Sequence, residues 1–143
     1  METKENKISP TAFKLGIAGL IPFIVLAGSS FALPSSYKDT ILLGLLAYGA
    51  SISSFLGAIH WGLTMREKNP HEIYLIWGVI PSLIAWISLM LIPELGLLLI
   101  TALLWLCLIV DAKIYPAYGL GHWLPMRLFL TSTASVACLV VSL

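Results

Sequence analysis

Four ionisable side chains interrupt long apolar runs in this sequence: His60, Asp111, His122 and Arg127. An arginine beside a carboxylate forms a strong, geometrically defined pair, which can hold two helices together or present a donor to a ligand. Two histidines and a carboxylate also make a ligand set that iron or zinc accepts. These three lie far apart in the chain with no motif spacing, so no metal is implied. Haem has no pair of deep histidines to bind it, and no cofactor is expected. Trp61 follows His60 directly and joins the candidate cluster.

Whether these residues meet depends on the elements that carry them. The chain has 143 residues, 59% apolar and only 10% charged. A soluble domain carries about 25% charged residues. One domain of this length cannot bury so much apolar surface away from water, so its solvent is lipid. The net charge of +1 excludes a basic field for nucleic acid. The expected fold is all-α, a polytopic membrane protein with a bundle of about five transmembrane helices in a single domain over 1–143.

A bilayer core about 30 Å thick needs roughly 20 apolar residues in a helix. Five runs approach this, at 12–33, 40–65, 73–92, 95–110 and 123–143. Pro34 ends the first and Pro93 the third. The second is long enough to tilt, and the fourth is short. None alternates with period two, which excludes strands. Lys4, Lys7 and Lys14 ahead of the first run, with Ala27-Gly28-Ser29 near its end, also resemble a signal peptide. The run continues apolar to Leu33 after a long charged lead, so a membrane span is expected instead. The acidic residues and absent arginine in the first ten positions fit a mitochondrial transit peptide poorly.

Lysine and arginine near helix ends set orientation. Seven of the eight fall on one side: Lys4, Lys7, Lys14, Arg66, Lys68, Lys113 and Arg127, against Lys38 alone. The N-terminus is therefore expected in the cytoplasm and the C-terminus outside, in a bacterial inner membrane. At 1.5 Å per residue, His60, Asp111 and His122 then lie near the cytoplasmic boundary, with Arg127 about 6 Å deeper. Thr64, Tyr115 and Tyr118 share that level. An intramembrane ionisable residue is a functional hypothesis by default. The alternatives are a structural Asp111–Arg127 pair, an arginine snorkelling to the headgroups, and an ordinary aromatic belt.

Gly49, Ser53 and Gly57 recur every four residues on one face of the second run. Small residues let helices approach closely in lipid, so this face is a packing seam or a close-approach surface for a ligand. Pro22 and Pro81 lie mid-span, and each frees a carbonyl that a neighbour must satisfy. The Gly-x-Ile-Pro pattern at Gly19–Pro22 recurs at Gly78–Pro81, four residues that chance explains among apolar helices. Cys107 and Cys138 lie in apolar runs without Cys-x-x-Cys spacing and read as packing residues.

At these positions the chain resembles a known family. Gly19-Leu-Ile-Pro-Phe23, Tyr48-Gly-Ala50, Ser54-Phe-Leu-Gly57, His60-Trp-Gly62, Pro81-Ser-Leu-Ile-Ala-Trp86 and Arg127-Leu128 with Thr131 carry the likeness. They are similar to a family of small bacterial and mitochondrial membrane proteins that includes transmembrane protein 69 and carries a domain of unknown function. The likeness covers nearly the whole chain, and Tyr48 to Gly62 is its most specific part. It implies a multi-pass membrane protein and supplies no catalytic roles.

Two function classes follow. One is a non-catalytic interaction, accessory or assembly protein of an energy-transducing membrane, suggested by small size, short loops and small-residue seams. The other is a small transporter or lipophilic-ligand binder built on the inner-leaflet cluster. No nucleophile–base pair, phosphate loop or metal motif marks an enzyme. The expected partners are the lipid bilayer, with a membrane protein or a second copy of the chain as candidates.

Overall fold

The computed structural model describes residues 6–143. Lys4, one of the orienting lysines, lies outside the described residues. The described chain is helical throughout: α1 (Pro10–Ala18), α2 (Ile21–Ala32), α3 (Lys38–Thr64), α4 (Glu72–Ser88), α5 (Pro93–Ile114) and α6 (Leu124–Ser142), with short 3-10 turns between them. Helices α1 and α2 together form the first span. Among the described residues, four segments are long and apolar enough to cross a membrane. The fifth, α4, has 17 residues, the short end of the range that spans hydrocarbon.

Local chemistry explains the boundaries. The Ser9 hydroxyl accepts from the Ala12 amide at 3.1 Å and Pro10 opens α1, filling orphan positions of a helix start. Pro22 lacks an amide hydrogen, and the first span breaks at Gly19–Leu20. The Tyr48 hydroxyl on α3 donates to the Gly19 carbonyl at 2.8 Å. A neighbouring helix thus satisfies a carbonyl at the break, as the bilayer demands. Pro81, by contrast, sits inside a continuous α4. The two Gly-x-Ile-Pro segments therefore do different things.

Two boundaries differ from the sequence reading. The third span stops at Ser88, and Leu89–Ile92 form the turn into Pro93. The fourth is not short: α5 runs through Asp111 to Ile114. The carboxylate of Asp111 lies just beyond the apolar run 95–110. It remains inside the helix because it is 1% exposed and fully engaged by other helices.

Helix α3 is the centre of the bundle, packed against α2, α4, α5 and α6. Its Leu42, Leu45 and Leu46 are at most 1% exposed, together with Leu97, Ile100 and Leu104 of α5. Phe31, Phe55 and Val136 face outward, as side chains bathed in lipid do. Polar side chains are inside: Ser53, His60, Thr101, Asp111, Arg127 and Thr131 are all buried. Cys107 and Cys138 are buried free thiols.

The small residues of α3 face two different neighbours. Gly49 lies against Ile100 of α5, which a Cβ would meet at 2.8 Å. Gly57 crosses Gly78 of α4, whose carbonyl a Cβ would meet at 2.6 Å. Ser53, between them, donates to its own helix at Gly49. Each glycine permits an approach that any side chain would prevent.

Candidate polar site and its cleft

Asp111 is the hub of the polar cluster. Its Oδ1 lies 2.8 Å from His60 Nε2. Its Oδ2 accepts from Arg127 Nε at 2.9 Å and from Arg127 Nη2 at 2.7 Å. One carboxylate from α5 therefore ties down α3 and α6 together. The arginine does not straddle both oxygens. It brings two donors side-on to Oδ2, which frees Oδ1 for the histidine. His60 and Asp111 are 1% exposed, and Arg127 is 8% exposed. Arg127 does not snorkel. Thr64 donates to the His60 carbonyl at 2.6 Å, and the Tyr115 ring lies 6.1 Å from the imidazole.

The other candidates lie elsewhere. His122 sits in the 3-10 turn Gly121–Trp123, its ring 6.0 Å from that of Trp123, with no hydrogen bond to Asp111. Trp61 leaves α3 on another side and is exposed. Its indole N–H donates to the Leu75 carbonyl at 2.7 Å, pinning α3 to α4. Adjacent helix residues point about 100° apart, so one of the pair faces the core and the other does not. With His122 outside the cluster, the metal set of two histidines and a carboxylate is not assembled. Among the described residues, no three His, Cys, Asp or Glu side chains come together to hold an ion.

One edge of the cluster opens onto a cleft. Span one, α3 and α6 enclose about 470 Å³, walled by Leu15, Phe55, Ile59, Met126 and Leu130, with Tyr115 and Arg127 among its lining. A second space of about 160 Å³ shares Leu15, Phe55, Leu130 and Arg127 and continues toward Thr131 and Phe23. The cleft exists because α1 has no buried residue. Beyond the break at Gly19–Leu20, that helix meets α6 where Gly16 packs against Met126 and covers the rest of the cleft incompletely. Sequence spacing gave Thr131 one signal: it lies four residues from Arg127, on the same helix face. The apolar walls gave none, since they look like any lipid-facing leucine or phenylalanine.

These features define a small multi-pass α-helical membrane protein with a charged tie at one end of its bundle. The family described as "Protein of unknown function (DUF3429)" matches residues 8–143, and the chain belongs to it. It is 34% identical over 138 residues to Transmembrane protein 69 of Xenopus tropicalis, covering 92% of this chain and 53% of that protein. It is 24% identical over 135 residues to Transmembrane protein 69 of Mus musculus, covering 92% of this chain and 55% of that protein. The chain thus spans about half the length of these curated relatives. No solved structure matches.

Proposed function

We propose that this protein binds a lipophilic molecule that enters sideways from the bilayer, between span one, α3 and α6. The observation that carries this reading is the 470 Å³ cleft, apolar along its walls, with the buried Arg127 among its lining residues. Binding sites for small molecules occupy roughly 300–1,000 Å³ and combine apolar walls with a few placed polar groups. The Asp111–His60–Arg127 tie fixes the guanidinium in place, so the polar end is preorganised.

The bias of lysine and arginine favours an N-terminus in the cytoplasm and this cleft in the cytoplasmic leaflet; a bacterial inner membrane is part of the same proposal. Reporter fusions check the orientation. Fusion at Asn69 should report cytoplasm and fusion at Ser36 the outside. The opposite pattern would move the cleft to the outer leaflet.

Binding is tested on protein purified in mild detergent. Solvent extraction should release a stoichiometric lipophilic compound from the native chain. A Leu130→Trp variant, which fills the cleft without touching the charged tie, should release far less. Equal release from both rejects the site. A stable protein partner in the same purification, with no retained small molecule, would favour the accessory or assembly role instead.

A further inference from the structure

We infer that the cleft selects a neutral amphiphile whose head presents a carbonyl oxygen; the inference rests on the binding reading above. The first ground is the hydroxyl of Thr131. Ser53, Thr64, Thr101 and Thr133 all donate to a carbonyl one turn back in their own helices. That is the usual resting place for a hydroxyl in a membrane helix. Thr131 is 2% exposed, lines the inner end of the cleft, and its Oγ1 has no partner. A buried hydroxyl without a partner is costly, and a ligand acceptor would satisfy it. Ser135, one turn on, is also unpartnered, but it does not line the cleft.

The second ground is the sign of the polar lining. Arg127, Tyr115, Trp123 and Thr131 are its polar side chains, and the Tyr115 hydroxyl lies beside the guanidinium. All four can donate. The nearby carboxylate is already committed, Oδ1 to His60 and Oδ2 to Arg127. The complementary head is therefore an acceptor.

The third ground is charge. Asp111 and Arg127 cancel. His60 donates through Nε2 to Oδ1 of that carboxylate. An anionic head would then bring an uncompensated negative charge into an apolar site, which is costly. A ketone, quinone or ester oxygen brings none. Two natural sources share this chemistry: an isoprenoid quinone and the ester of a diacylglycerol.

Native mass spectrometry of the full chain, released from mild detergent, tests the class. The probes are decyl-benzoquinone, dioleoylglycerol and palmitate. One neutral carbonyl compound should bind with a stoichiometry of one and saturate, and palmitate should bind at least tenfold more weakly. Whichever of the two neutral probes saturates identifies the source. Thr131→Val should weaken binding about tenfold, the effect of losing roughly one hydrogen bond, without lowering the melting temperature of the ligand-free chain. Leu130→Trp should abolish binding. Preferential, Leu130→Trp-sensitive binding of palmitate would overturn the neutral head and keep the cleft. Absence of saturable binding by all three probes would overturn the cleft itself.

Discussion

The two sides of α3 are built on opposite principles. Toward α4 and α5, glycines bring backbones together until nothing fits between them. Gly57 meets the Gly78 carbonyl, and Gly78 in turn is covered by the Trp61 indole. Toward span one, the same helix presents Phe55 and Ile59 to an open cleft, and the facing helix α1 buries nothing. The difference shows where a membrane protein can keep empty space. With lipid outside as apolar as the side chains, no hydrophobic force closes a gap between helices. Contact must be built by shape or by polar ties, and where both are sparse, as along α1, a gap is left.

The sharpest way to break this comparison is at the tie bordering both sides. Asp111→Asn leaves Arg127 buried without its counter-charge. Removing one partner of a buried pair costs about 3–5 kcal/mol, so reversible unfolding in mixed micelles should show a loss of that order. Arg127→Gln should cost less, because Asp111 keeps His60, and the charge-swapped double variant should recover part of the loss. An unchanged stability for Asp111→Asn would show that the pair contributes nothing to the bundle.

A smaller effect separates the closed side from open surface. Gly57→Ala places a methyl against a carbonyl that cannot rotate away. Overpacking of this kind costs typically about 1–3 kcal/mol. Gly28 of α2 has nothing within 4 Å of a Cβ, and Gly28→Ala should lose no stability in the same measurement. Equal effects at the two glycines would remove the distinction.

The smallest effect belongs to span one. Tyr48→Phe deletes the hydrogen bond to the Gly19 carbonyl and should cost about 0.6 kcal/mol, the typical worth of such a bond between membrane helices. The local consequence should be larger than the global one: faster hydrogen exchange confined to residues near the Gly19–Leu20 break. Uniformly faster exchange across α3 would mean that Tyr48 supports the core rather than the break.

Height along the bundle was legible in the sequence for His60, Asp111 and Arg127, but direction around the helix was not. Depth needs only the rise per residue, so the shared level of His60, Asp111 and Arg127 could be read from spacing. Direction needs the neighbours. His60 and Trp61 differ by one position, and only the packing decides that His60 meets Asp111 while Trp61 reaches α4. His122 had the right depth and lies in a turn away from the cluster. Asp111 misled for a related reason. A carboxylate ends an apolar run when it is alone, and its partners are 51 and 16 residues away. Pro22 and Pro81 looked alike as sequence, yet one breaks its helix and the other does not. Their surroundings are set by α3, which no local pattern describes.

The carboxylate of Asp111 joins three helices that are synthesised one after another. Chain order delivers α3 with His60 first, α5 with Asp111 next and α6 with Arg127 last. Until α6 arrives, Oδ2 lacks both of its arginine donors, and the emerging arginine has no counter-charge. Each cost is relieved only when the last helix seats at the correct depth and with the correct face inward. A slip of one residue along α6 would turn Arg127 about 100° away from its acceptor. The buried tie therefore favours one register of α6 over its neighbours, a preference that a wholly apolar bundle end would not supply.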